Sequence, residues 1–195
     1  MHSIFFRILA ILSLLLLLTS CDKHKTSFQN SDITGAAFGR ELALTDHTGK
    51  LRTLDDFKGK VSVLFFGYTL CPDACPTTLS TLREVLDKLG KDANRVQVLF
   101  VTIDPERDTQ EILAQYVPAF HPTFLGLRGD AEATDKVSKE FKVITHIVPG
   151  ASPTAYTVDH STGVYIFDPA GKLRLYAGHG SSADAFLNDI KKLLP

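Results

Sequence analysis

Val61-Ser62-Val63-Leu64-Phe65-Phe66-Gly67-Tyr68-Thr69-Leu70-Cys71-Pro72-Asp73-Ala74-Cys75-Pro76 is the stretch that decides the architecture of this 195-residue chain. Its first six residues are apolar except Ser62, the composition of a strand buried on both faces. Leu79, Leu82, Val85, Leu86 and Leu89 follow at helical spacing, and Gly90 is a natural stop. A buried strand therefore runs almost directly into a helix that carries two cysteines at its start.

Working outward, Val96 to Ile103 reads as a second buried strand, broken by Asp104-Pro105. Thr109 to Phe120 has helical periodicity, with Ile112, Leu113, Tyr116 and Val117 on one face. Phe124 to Leu127 is short and apolar, and Asp130 to Phe141 reads as another helix. Tyr156 to Val158 and Val164 to Phe167 are expected strands around a polar turn, Asp159 to Gly163. Leu173 to Tyr176 should pair after the turn Pro169-Ala170-Gly171, and Ala183 to Leu194 should close the fold as a helix. On the N-terminal side, Leu42 to Leu44 and Leu51 to Leu54 flank the turn signal Asp46-His47-Thr48-Gly49, a small hairpin. Strands that alternate with helices early and pair as a hairpin late predict an α/β three-layer domain with a mixed central sheet. The order is similar to the thioredoxin arrangement, with Asp104 to Phe141 as its middle section plus an insertion.

The first twenty residues differ from the rest. Arg7 is their only charged side chain, Ile8 to Leu18 is almost wholly apolar, and Thr19 and Ser20 precede Cys21. This is a signal-peptide layout, with an apolar core short of the ~20 residues of a comfortable membrane span. Leu18-Thr19-Ser20-Cys21 resembles a bacterial lipobox, which implies a lipid on Cys21, and Asp22 resembles the signal that retains lipoproteins in the inner membrane. The division expected is residues 1–20 as signal peptide, 21–35 as lipid anchor and flexible polar tether, and 36–195 as the folded domain. The domain would then lie on the extracytoplasmic, periplasmic face of a bacterial inner membrane. Net charge is −1, from 21 basic and 22 acidic residues with no basic block, which speaks against nucleic acid as a partner. One Met in the chain excludes a methionine-rich metal tract.

With Cys21 assigned to lipid, Cys71 and Cys75 remain, in a compartment where dithiols tend to oxidise. Three residues separate them. At a helix start, positions four apart share a face, so both sulfurs could aim at one centre, and the helix N-terminus favours thiolate. Pro76 suits a first turn. Thiolates suit Cu(I) and Zn, whereas Cu(II) wants added nitrogen or oxygen. A third ligand must come from elsewhere. Of seven histidines, His2 falls in the signal, His24 in the tether and His47 in an expected exposed turn. His160 sits in a polar turn between two apolar segments. In thioredoxin-like domains the corresponding loop, which usually holds a cis-proline, faces the cysteine helix, so His160 is the candidate ligand. His121, His146 and His179 are left as solvated or partly buried residues. A structural disulfide or a dithiol oxidoreductase is the competing reading of the pair, although the two-residue gap of a redox thioredoxin is absent.

Three segments carry a family resemblance. Phe66-Gly67-Tyr68-Thr69-Leu70-Cys71-Pro72-Asp73-Ala74-Cys75-Pro76-Thr77, Thr102-Ile103-Asp104-Pro105-Glu106-Arg107-Asp108-Thr109 and Tyr156-Thr157-Val158-Asp159-His160-Ser161 are similar, in content and order, to the Sco/SenC family of copper proteins. The resemblance implies a thioredoxin fold and copper, Cu(I) or Cu(II), held by Cys71, Cys75 and His160. It further implies a role in cytochrome c oxidase assembly, as a metallochaperone that delivers copper to the binuclear site of subunit II or keeps that site's thiols reduced. Subunit II or another copper protein is then the partner. Asp73, Asp104 and Asp108 match acidic positions near the family's site, where they support ligands or dock a partner; Asp104 and Asp108 could equally cap turns and the helix near Thr109. Cys71 and Cys75 could close into a redox disulfide that empties the site. Three rivals use the same cysteines: a thiol-disulfide reductase, a peroxide-reactive redox sensor and a three-ligand zinc site. The first two do not need His160.

Overall fold

The computed structural model describes residues 27–152 and 154–195. The signal segment, Cys21 and the start of the tether lie outside these residues.

The elements in chain order are β1 (Ser31–Asp32), β2 (Ala43–Asp46), β3 (Leu51–Thr53), β4 (Val61–Gly67), α1 (Ala74–Leu89), β5 (Val96–Thr102) and α2 (Gln110–Phe120). They continue with β6 (Leu125–Arg128), α3 (Ala131–Glu140), β7 (Thr145–Val148), β8 (Thr157–His160), β9 (Val164–Phe167), β10 (Leu173–Ala177) and α4 (Ala183–Leu193). Eight strands form one mixed sheet in the order β1-β10-β9-β4-β5-β6-β2-β3. β4, β5 and β6 are parallel at its centre, and the flanking strands are antiparallel. Every residue of β4 and β5 is buried, as their apolar composition requires.

The pleat of β4 separates two cores. Val61, Val63 and Phe65 pack with Leu79, Leu82, Val85 and Leu86 of α1, Leu113 and Val117 of α2, and Phe186 and Ile190 of α4. Leu64 and Phe66 point the other way, onto Val137 of α3, Phe141, Leu42, Leu44 and Phe57. Three layers result, the expected thioredoxin-like plan. α1 forms because its apolar residues recur on one face, each contributing roughly 1.5–3 kcal/mol when fully buried. Gly90 ends it with φ +57°, a left-handed conformation suited to glycine.

Several elements differ from expectation. Tyr156 to Val158 does not pair with Val164 to Phe167. Instead β8 pairs with β7, a strand the sequence did not disclose, as a separate two-stranded arm in which Thr145 faces His160 and Ile147 faces Val158. All four β7 residues are exposed, so the segment lacks the apolar alternation that marks a strand. The late hairpin is formed by β9 and β10. His160 thus ends a strand instead of occupying a turn. Ile112 is exposed, and α2 buries only Leu113 and Val117. His47 is half-buried and ties the β2–β3 turn to β6, its Nδ1 accepting from Gly126 N–H at 3.0 Å. The described part of the expected tether belongs to the domain. β1 pairs with β10, and the buried carboxylate of Asp189 accepts from the backbone N–H groups of Gln29 and Asn30 at 2.8 Å. Buried acids gather backbone donors that a polar sequence alone does not reveal.

Candidate metal centre

β4 delivers the chain to one end of the sheet at Gly67. Tyr68 to Asp73 form a turn, in which Cys71 N–H donates to Tyr68 C=O at 3.2 Å, and α1 starts at Ala74. Cys71 therefore precedes the helix, half-buried in the turn, while Cys75 is buried in the first helical turn. The expectation that the two share a helix face is corrected: the turn, not helical periodicity, brings the sulfurs together. Gly67 makes room for the Cys75 sulfur. A Cβ there would lie 2.7 Å from Cys75 Sγ and 2.9 Å from Phe100 Cε2.

The arm supplies the third group. Cys71 Sγ, Cys75 Sγ and a ring nitrogen of His160 lie within 4.8 Å of one another, with His160 Nε2 3.8 Å from Cys75 Sγ. His160 Nδ1 is 2.9 Å from Ser161 C=O. A carbonyl can only accept, so Nδ1 carries the proton and the Nε2 lone pair faces the sulfurs. Burial lowers the His160 pKa, opposed by that same hydrogen bond and by Asp159, which favours the neutral ligating ring. Burial, reinforced by the neighbouring Cys71 sulfur, which favours the protonated form, pushes the Cys75 thiol up. Desolvation outweighs the helix N-terminus, contrary to the expectation of a stabilised thiolate. Two soft sulfurs and one imidazole nitrogen suit a soft ion such as Cu(I), and leave room for a further ligand. This is the one such cluster among the described residues.

The acidic candidates separate. Asp73 is exposed at the N-cap of α1 and accepts from the Thr77 hydroxyl at 3.3 Å. It is not one of the clustered groups. Asp108 is fully buried and accepts from Thr69 Oγ1 at 2.5 Å, Thr102 Oγ1 at 2.6 Å and Thr69 N–H at 3.1 Å. It holds the cysteine turn to the end of β5, and burial raises its pKa against those hydrogen bonds. Asp104 accepts from Arg107 Nε at 2.5 Å and from the Tyr156 hydroxyl at 2.8 Å. Neither caps α2. Thr109 does so, its Oγ1 accepting from Ile112 N–H. His121 bonds locally to Thr123.

Tyr68 was not singled out by the sequence, yet its buried hydroxyl accepts from Val158 N–H at 3.2 Å and its ring lies edge-on to His160. Gly67, Arg107 and Tyr156 were likewise overlooked as individuals. All four fall inside the three segments that carry the family resemblance, the one signal that could have marked them.

A thioredoxin-type domain with two thiols and an imidazole converging beyond its central strand defines a thiol-based soft-metal or redox protein. The SCO1/SenC family model matches residues 30–195, and the chain belongs to that family. The mitochondrial SCO2 homolog of Bos taurus is 39% identical over 160 residues, covering 80% of this chain and 60% of that protein. The SCO2-like protein of Rickettsia felis is 36% identical over 162 residues, covering 83% of this chain and 79% of that one. The chain spans 48–63% of the length of the vertebrate SCO2 relatives it matches. Among solved structures, Bradyrhizobium japonicum ScoI with copper bound matches with a TM-score of 0.75 at 38% identity, covering 81% of this chain and all (100%) of that one. Apo Sco1 from Thermus thermophilus matches with a TM-score of 0.77 at 37% identity, covering 86% of this chain and 98% of that one.

Proposed function

We propose that this protein binds one copper ion through Cys71 Sγ, Cys75 Sγ and His160 Nε2 and passes it by ligand exchange to a copper protein, subunit II of cytochrome c oxidase being the candidate. The convergence of the three donor atoms within 4.8 Å carries this reading. The copper-bound structure of a relative 38% identical supports it. Cu(I) is satisfied by two or three soft ligands, and Cu(II) recruits a fourth from water or a carboxylate. Cys71, half-buried at the rim, is the sulfur an acceptor's thiolate can approach. Transfer of this kind is binding chemistry, not turnover.

The same sulfurs support a second, linked reading. The Cys71 and Cys75 sulfurs lie within 4.8 Å of each other, near enough for a small shift of the turn to close them to a disulfide. Two thiols give up two protons and two electrons to a disulfide of the partner, whose thiols are thereby reduced and made ready for copper. Asp73, exposed beside the site, has partner docking as its role, and Asp108 supports the cysteine turn. A lipid on Cys21 would tether the domain to the outer face of the inner membrane; among the described residues no helix is long and apolar enough to cross it.

The test is titration of the reduced, detergent-solubilised chain with Cu(I) and Cu(II), beside His160→Ala. One copper per chain, with a sulfur-to-Cu(II) charge-transfer band that His160→Ala abolishes, is expected. Absence of copper binding, with disulfide reductase activity that ignores His160→Ala, would make the protein a thioredoxin-like reductase.

A further inference from the structure

The strand that carries His160 is not hydrogen-bonded to the main sheet, since β7 and β8 form a sheet of their own. Along the chain the main sheet is rejoined only at Val164, the first residue of β9, four positions beyond His160, and within the strand the Val158 N–H donates to the Tyr68 hydroxyl at 3.2 Å. A cleft lined by Ile103, Asp104, Thr134, Ile147, Tyr156 and Val158 runs beneath the arm, so packing beneath it is incomplete. Ile147, on the inner face by register, is 59% exposed. Something other than sheet pairing must hold His160 over the sulfurs.

Tyr68 holds the middle of the strand through Val158 N–H, and Arg107 is placed to hold its entry. Its Nε donates to Asp104 Oδ2 at 2.5 Å, and its Nη1 donates to Tyr156 C=O at 2.7 Å and Thr154 C=O at 3.3 Å. Its guanidinium carbon lies 3.5 Å from the centre of the Tyr156 ring. The Tyr156 hydroxyl donates to the other oxygen of Asp104 at 2.8 Å, closing a ring of three side chains at the entry to β8. The loop that bears Arg107 is itself fixed, because Arg128 donates to Pro105 C=O at 3.0 Å and Asp108 C=O at 3.2 Å. Asp108, on the same loop, holds Thr69 of the cysteine turn. One loop, Thr102 to Asp108, therefore grips both halves of the metal centre.

We propose that Arg107 is a positioning residue for His160: by clasping Thr154 and Tyr156 to Asp104 it latches the β7–β8 arm to the loop that also anchors the cysteine turn. The geometry of the arm concerns the protein alone, while its effect on copper rests on the function proposed above. Loss of the latch frees the arm to pivot about its junction with β9. His160 Nε2 then leaves its place near Cys75 Sγ, and the two sulfurs remain where Asp108 and Gly67 hold them. Cu(I), content with two thiolates, is affected little, whereas Cu(II) loses its nitrogen.

The experiment uses the full chain in detergent, reduced, as wild type, Arg107→Met and Arg107→Lys. Arg107→Lys keeps the charge beside buried Asp104 and so preserves the fold, but cannot bridge Nε and Nη1 contacts or stack as a plane. Hydrogen exchange without metal is read first. Both variants should speed exchange of the Thr157–His160 amides about tenfold or more, with β4 and β5 amides unchanged. Copper is added second. The ratio of Cu(II) to Cu(I) affinity should fall about tenfold or more, with a weakened and shifted charge-transfer band. Unchanged β8 exchange in Arg107→Lys overturns the latch, as does faster exchange spread equally over β4 and β5. A wild type that binds no copper overturns the copper reading and leaves the latch to be judged by exchange alone.

Discussion

Gly67→Ala tests whether the space beside the central strand exists for the sulfur of Cys75. The new Cβ would stand 2.7 Å from Cys75 Sγ, 2.9 Å from Phe100 Cε2 and 3.2 Å from Phe65 Cε1. Ordinary contact is about 3.5–4.0 Å, so the first two are short by roughly 1 Å. Cys75 and Phe100 are both fully buried, and Phe100 is itself wedged against Phe65 and Tyr116. Neither can retreat into solvent. Overpacking of this kind destabilises by about 1–3 kcal/mol, which for a domain of this size lowers Tm by roughly 2–12 °C. The sulfur must also move by a large fraction of 1 Å, several times the ~0.2 Å tolerance of a metal–ligand distance, so Cu(I) affinity should fall about tenfold or more. Thermal unfolding by circular dichroism of wild type, Gly67→Ala, Cys75→Ala and the double variant closes a cycle. Removing the sulfur should relieve part of the Gly67→Ala penalty, a coupling of about 0.5–3 kcal/mol, and leave the part due to Phe100. Equal penalties in the two backgrounds, together with unaltered Cu(I) competition against a chromophoric chelator, would refute the steric argument.

Copper affinity should rise with pH. Burial holds the Cys75 pKa above its ordinary value, so that thiol is protonated near neutrality and Cu(I) must displace its proton, giving about tenfold in affinity per pH unit for each proton released; potentiometric or competition titration from pH 6 to 8 with a flat profile would contradict this. Asp108→Ala removes the acceptor of three donors around the cysteine turn and should destabilise by about 1–3 kcal/mol or more, with faster exchange of the Thr69 amide, read by denaturant unfolding and hydrogen exchange. Burial would raise the carboxyl of Asp46, but hydrogen bonds from Thr48, Arg52 and Lys50 prevail and lower it from 3.8 to about 2. A depressed folded-state pKa stabilises above 3.8, and that contribution is lost as pH falls toward 2. The difference in stability between wild type and Asp46→Asn should therefore shrink across that window in acid titrations followed by circular dichroism.

What was legible in the chain follows from periodicity and local chemistry. The apolar runs of β4 and β5, the stripe on α1 and the turn residues of the β2–β3 and β9–β10 hairpins announce themselves, because burial on both faces or on one face leaves a direct compositional trace. The arm was illegible for the opposite reason. All of β7 is exposed, so no pattern of burial was imposed on its residues, and β8 acquired the wrong partner by default. Its place in the loop facing the cysteine helix, and then the family resemblance, named His160 as the third member of the cluster, while the local reading put it in a turn and the structure puts it at the end of β8.

The sequence by itself determined that two cysteines follow a buried strand at a helix start, that His160 is the candidate to join them, and that the fold is thioredoxin-like. Only the tertiary structure decided that Cys71 lies outside the helix, that Gly67 is a hole shaped for sulfur, and that Asp104 and Asp108 serve opposite halves of one centre. The physical reason lies in sequence distance. Asp108 meets Thr69 across 39 positions, Tyr156 meets Asp104 across 52 and His160 meets Cys75 across 85. Periodicity reports what a residue does for its own element; which buried acid answers which distant donor is settled only when the elements pack and water is excluded between them.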